Sequence, residues 1–143
     1  MLQKIRKQGN RHQLSHLKRY SAKDYGLIRD WASMRQENAI DAKYLPKLGL
    51  VSQGVAVGFL QQTNTPIAYL EFFMTNPQAN AFKRGKALQD IAKGLLEIAK
   101  TKNIDIVQMN SKHASLLHLG KTLGFKETLA RVHVLRLSKD GKH

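Results

Sequence analysis

The chain has 143 residues, no cysteine, and a formal charge of +14 from 24 Lys and Arg against 10 Asp and Glu. That length fits one domain with a core of its own, and the lack of Cys excludes thiol nucleophiles, disulfides and Cys-ligated zinc. The apolar runs are too short to span a bilayer, and no apolar segment follows the charged N-terminus as a secretory signal requires, so the expectation is a soluble cytoplasmic protein. The charge implies an anionic partner: nucleic acid, an acidic protein surface or a phosphorylated cofactor. The alternative is a generally basic, solvated surface.

Residues 1–12 read as a basic arm and 13–137 as a single domain, followed by a polar tail at 138–143. Lys4, Arg6, Lys7 and Arg11, continued by Lys18 and Arg19, form a block with no acid before Asp24. Such a block suits a nucleic-acid-binding arm or a solvated terminus. Within Gln13–Arg19 a short edge strand fits the loose alternation. Ser21 to Asp24 reads as a helix N-cap with an acid in the first turn. Leu27, Ile28, Trp31, Ala32 and Met34 then recur at helical spacing, with Trp31 a core residue. Asn38–Leu50 reads as a second, weaker helical stretch, interrupted at Pro46, closed near Gly49 and anchored by Tyr44 and Leu45.

Gly54–Leu60 and Ile67–Thr75 are apolar and β-branched, and the short polar turn between them predicts an antiparallel hairpin. Asn76 and Pro77 stop the second strand. Phe82–Ala87 reads as a basic, Gly-containing loop, and Leu88–Lys102 as a long helix with Leu88, Ile91, Ala92, Leu95, Ile98 and Ala99 on one face. Ile104–Met109 is a buried strand, Lys112–Leu123 a helix with Gly124 as its C-cap, and Val132–Leu137 a last strand. The fold class is mixed α/β.

A strand that feeds a run of backbone donors at a helix start can hold a phosphate. The ordered pattern resembles the GCN5-related N-acetyltransferase family. Four features carry the resemblance: the strand ending Met74-Thr75-Asn76-Pro77; Phe82-Lys-Arg-Gly-Lys-Ala87, similar to the family's loop of Gln or Arg, any two, Gly, any one, Gly or Ala; the helix and strand that follow; and Leu116–Phe125 with its terminal Gly-Phe. The small size and basic arm are also similar to acetyltransferase-like proteins of bacteriophages and their hosts.

The resemblance implies a central, mostly antiparallel sheet with one splayed parallel pair, flanked by about four helices. It implies acetyl-CoA or another acyl-CoA as cofactor. Main-chain amides of Arg84–Ala87 would cradle the pyrophosphate, with Phe82, Lys83, Arg84, Gly85, Lys86 and Ala87 lining it. Phe73, Met74, Thr75 and Asn76, with Asn110 and Ser111, would face the pantetheine arm through backbone groups, and His113 would also line the cofactor. Glu71 would be the base that deprotonates an amine, its alternative being a solvent-facing strand residue, and backbone N–H groups of the strand would stabilise the oxyanion.

The sequence departs from the family pattern at four places. Phe82 stands where Gln or Arg is expected, two extra residues separate Pro77 from Gly85, His113 stands where an Asn is common, and Gly120 occupies the place of the general-acid Tyr. His118 is the candidate substitute acid; its alternative is a surface or packed His. The histidines have no metal-ligand spacing, and nothing places an acid beside Ser111 and His113. Two functions follow. One is acyl transfer to an amine on an acidic or nucleic-acid-associated acceptor. The other is a module of the same fold, without chemistry, that binds nucleic acid or a partner protein through its basic surface.

Overall fold

The computed structural model describes residues 16–109, 118, 120–126, 135 and 137. The arm residues Lys4, Arg6, Lys7 and Arg11, together with Asn110, Ser111 and His113, lie outside them.

In chain order the elements are β1 (Leu17–Arg19), a 3-10 turn (Ala22–Asp24), α1 (Tyr25–Met34), a 3-10 turn (Ala42–Tyr44), β2 (Leu48–Ser52), β3 (Ala56–Gln62), β4 (Ile67–Thr75), α2 (Ala81–Lys100) and β5 (Ile106–Met109). The strands form one sheet in the order β1-β2-β3-β4-β5. The first four are antiparallel neighbours, and β5 lies parallel to β4. Parallel neighbours need a long crossover, which α2 supplies.

Strand alternation sends two sets of side chains to opposite faces. Leu48, Leu50, Ala56, Leu60, Ala68 and Leu70 meet Ala87, Leu88, Ile91, Leu95 and Ala99 of α2. Val51, Val57 and Phe59 meet Ile28 and Trp31 of α1. The sheet is therefore covered on both faces, and Trp31 is core. Burial of Leu88, Ile91 and Leu95 contributes about 2 kcal/mol each, which outweighs the cost of roughly 1 kcal/mol for Gly94 inside the helix. At the edge, Lys18 Nζ lies 2.8 Å from the buried Asp24 and the Ser21 amide donates to the same carboxylate at 2.9 Å. Burial alone raises the Asp24 carboxyl, but these two partners hold it below the usual value.

Four sequence expectations are corrected. Asn38–Leu50 is not helical: it forms a 3-10 turn and then enters β2. Pro46 disfavours helix at Leu45, which is extended at φ −80°, ψ 137°. Gly49 is not a stop signal but a strand residue, against which the Phe59 ring packs so closely that a Cβ would lie 2.6 Å from it. The strand expected at Gly54–Leu60 begins at Ala56, because Gly54 takes φ +72° in the turn before it. Phe82–Ala87 is not a loop: it lies within the first turns of α2, which starts after Asn80, whose side chain accepts from the Lys83 amide at 2.8 Å. Leu135 and Leu137, expected in a last strand, lie outside any strand and are exposed.

Gly58 and Gly85 make opposite demands. A Cβ on Gly58 would lie 2.6 Å from the Phe73 ring and 2.9 Å from Ile91, whereas one on Gly85 meets nothing within 4 Å. Gly58→Ala is expected to destabilise the fold by about 1–3 kcal/mol in urea unfolding. Gly85→Ala is expected to be neutral or to stabilise by up to roughly 1 kcal/mol, as Ala does in a helix. Equal stability of the two variants would contradict this packing.

Candidate active site

The site is built around an interruption in β4. Phe59 pairs with Glu71 and Val57 with Met74, so two residues of β4, Phe72 and Phe73, oppose Gly58 alone. This is a β-bulge. Its source is Phe72, which adopts φ +56°, a conformation that costs a bulky residue of order 1 kcal/mol or more. The bulge turns consecutive side chains to unusual faces. Phe72 joins the α1 cluster and Phe73 the α2 cluster, where the bare Gly58 makes room for its ring.

On the other side of β4, pairing with β5 runs from Ile67↔Ile106 to Leu70↔Met109 and goes no further among the described residues. Among the described residues, Glu71–Thr75 therefore borders a strand, β3, on one side only. The segment from Glu71 to Asn76 is half-buried throughout, although it contains Phe72, Phe73 and Met74. An edge without a strand partner among the described residues, its Thr75 carbonyl alone taken by a side chain, and with apolar side chains around it suits an extended, amide-bearing chain.

Beyond this edge lies the start of α2. Its helical ladder uses the amides of Arg84–Ala87, beginning with Arg84 N–H to the Asn80 carbonyl at 3.0 Å. Those amides are spent, which corrects the expectation that they are open donors. The first-turn amides of Ala81 and Phe82 have no intrahelical partner, and none among the described residues. The first turn holds no acid; Lys83 and Arg84 stand where the helix dipole favours anions. Lys86 is engaged, its ammonium 3.3 Å from Asp90, a carboxylate only 1% exposed. His16 Nε2 lies 3.2 Å from the other Asp90 oxygen, Oδ2, without hydrogen-bond geometry. Phe82 is 83% exposed and does not occlude the helix start. Gly85 is open above its Cα, as noted.

Glu71 faces the α1 side, opposite Phe59. Its carboxylate has no hydrogen bond or ion pair with a described residue, and burial pushes its carboxyl above the usual value. His118 is not brought to it. His118 is exposed, two residues before Gly120, which packs on the α2 side: a Cβ on Gly120 would lie 2.7 Å from Met109. Any side chain at position 120 would have to displace the Met109 methyl, and the glycine there carries no acid. Gly124, at φ +95°, ends this helical turn as expected, and the Phe125 amide returns to the Gly120 carbonyl at 2.9 Å. Among the described residues no three potential metal ligands cluster, and no helix is long and apolar enough to cross a membrane.

No family model and no curated protein sequence matches the chain. Solved structures do. A probable acetyltransferase superimposes with TM-score 0.62 at 9% identity, over 86% of this chain and 98% of that one. A transcriptional regulator from Bacillus halodurans gives 0.60 at 16%, over 84% and 98%. An aminoglycoside 6'-N-acetyltransferase from Acinetobacter haemolyticus gives 0.54 at 16%, over 86% and 99%. The chain has the fold of the GCN5-related N-acetyltransferases. The end of β4 at Thr75 and the start of α2 at Ala81 follow one another in sequence with five residues, 76–80, between them.

The sequence pointed to Glu71, Phe73, Met74 and Thr75 on β4 but missed Phe72 and Arg35. Arg35, after α1, donates to the Thr75 carbonyl at 2.5 Å and to its hydroxyl at 2.8 Å. No local signal in the sequence links residues so far apart.

The raised Glu71 carboxyl predicts a pH-dependent stability difference. Because the folded state holds its proton more tightly than the unfolded chain, stability is lost as pH rises from the unfolded to the folded value. Glu71→Gln removes that loss. The variant is expected to melt above wild type at neutral pH, with the gap closing as pH falls below the carboxylate range. A gap of the same size at every pH would assign the effect to packing.

Proposed function

We propose that the chain is an acyl-coenzyme A-dependent N-acyltransferase. The observation that carries this reading is the bulged edge of β4, unpaired among the described residues, half-buried and leading to a helix start that bears cations and no acid. Acyl-coenzyme A has a phosphate end and an amide-bearing arm that suit these two features in order, and it supplies the acyl group as a thioester. Asn110, Ser111 and His113 remain candidates for the far side of that arm.

The residues divide the work. Amides of Ala81 and Phe82, with Lys83 and Arg84, hold the diphosphate through charge-assisted hydrogen bonds. The edge of β4 from Phe72 to Thr75 aligns the thioester, and its N–H groups stabilise the developing oxyanion. Glu71 takes the proton from an acceptor amine, which is nucleophilic only when neutral. Its raised carboxyl brings it nearer the range in which a general base works best. The nitrogen bonds to the acyl carbon, the carbon–sulfur bond breaks, and the thiolate takes its proton from solvent, since Gly120 offers no acid. The charge of +14 supports an acceptor amine carried on an acidic protein or a nucleic acid.

The second reading is a binding module. Gly120 favours it, because a glycine in the place of the usual acid supplies no proton. In that case nucleic-acid affinity falls steeply with salt.

Acetyl-CoA at tens of micromolar is expected to raise the melting temperature, and Gly85→Ala, which adds a methyl over the helix start, to reduce that rise. Glu71→Gln is expected to lower acyl transfer by roughly 10²–10⁴-fold without weakening acetyl-CoA binding, read as thiol release with amine-bearing acidic peptides and aminoacyl-tRNA. No thermal shift and no thiol release would leave the binding module as the better reading.

A further inference from the structure

The free edge of β4 raises a physical difficulty. Among the described residues β4 pairs with β5 no further than Leu70, and Phe72 breaks its register with β3, which resumes only at Met74 and Thr75. The described residues supply one compensating anchor on each side of its end. On the β3 side, the Asn76 amide donates to Val55 O at 2.8 Å and the Asn76 side chain to Gly54 O at 2.9 Å. Backbone groups alternate in direction along a strand. Since Asn76 points to β3, the N–H and C=O of Thr75 point to the open side. There the Arg35 guanidinium meets both the carbonyl and the hydroxyl of Thr75.

Arg35 is itself firmly seated. It is the C-cap of α1, and the helix ends in a Schellman motif: Gln36 N–H bonds Ser33 O at 3.0 Å and Glu37 N–H bonds Ala32 O at 2.9 Å. Gln36 holds φ +58°, a place usually given to Gly, so the turn is kept in spite of a local cost. The guanidinium is half-buried, and both bonds are charge-assisted. A fork that fits one residue's carbonyl and hydroxyl together is a task for Arg, not Lys.

We propose that Arg35 is the positioning residue of the β4 edge. Its guanidinium holds Thr75 from the open side, keeping Phe72–Thr75 extended where an acyl thioester's amide arm docks, and it closes the edge at Thr75. The proposal rests on the acyltransferase reading for the identity of that arm; the holding of the strand does not depend on it.

The test compares Arg35→Ala, Arg35→Lys and Thr75→Val with wild type by amide hydrogen exchange in free protein and by calorimetric titration with coenzyme A. In Arg35→Ala, exchange at Met74 and Asn76, which face β3, is expected to quicken roughly tenfold relative to Ala68–Leu70, and coenzyme A affinity to fall roughly tenfold. Arg35→Lys, able to bond one oxygen, restores part of both, and Thr75→Val loses part of both. Arg35→Ala with wild-type coenzyme A affinity overturns the proposal, whatever its exchange. A wild-type protein that binds no coenzyme A removes the acyltransferase reading and is recognised before any variant is compared; the holding of the strand is then overturned by unchanged exchange in Arg35→Ala.

Discussion

A phenylalanine held in the left-handed region is the constraint from which the site follows. Phe72 at φ +56° adds one residue to β4 relative to β3, so the strand bends away and its side chains change face. Gly58 is needed opposite, because the displaced Phe73 ring fills the space where a Cβ would stand. Beyond the bulge, described pairing with β5 has ended. Among the described residues the sheet thus has an unpaired interior edge between two strands that are paired at their other ends.

Electrostatics acts in the same direction. Lys83 and Arg84 at a helix start oppose the helix dipole by a few tenths of a kcal/mol each, a cost that an arriving anion turns into attraction. Lys86 is instead held by Asp90, so proximity to the loop motif does not make a cation available. Across the sheet, Glu71 is raised by burial. The apolar surroundings that raise its carboxyl would also shield a bound thioester from water under the proposed function.

Much of this was legible in the sequence, for identifiable reasons. Ile67–Thr75 was delimited because an apolar β-branched run ends at Asn-Pro, and α2's buried face followed from its spacing. The start of α2 was misplaced because Gly85 read as a loop residue; Asn80, an N-cap type in front of Ala-Phe-Lys, was the available signal. β2 was hidden because Pro46 and Gly49 read as helix breakers, whereas Gly49 is required by a ring that arrives from the next strand. The bulge had no signature, since Phe at positive φ is imposed by tertiary packing. Arg35 was invisible because its partner lies on another element.

The central claim is that the unpaired edge of β4 and the first turn of α2 form one binding surface. Titrating unlabelled coenzyme A into ¹⁵N-labelled protein and following amide chemical shifts tests it most directly. The account predicts that the largest shifts fall on Phe72–Thr75 and on Ala81 and Phe82, with β1 and α1 nearly unmoved. Shifts scattered over exposed lysines, with those amides silent, would contradict it.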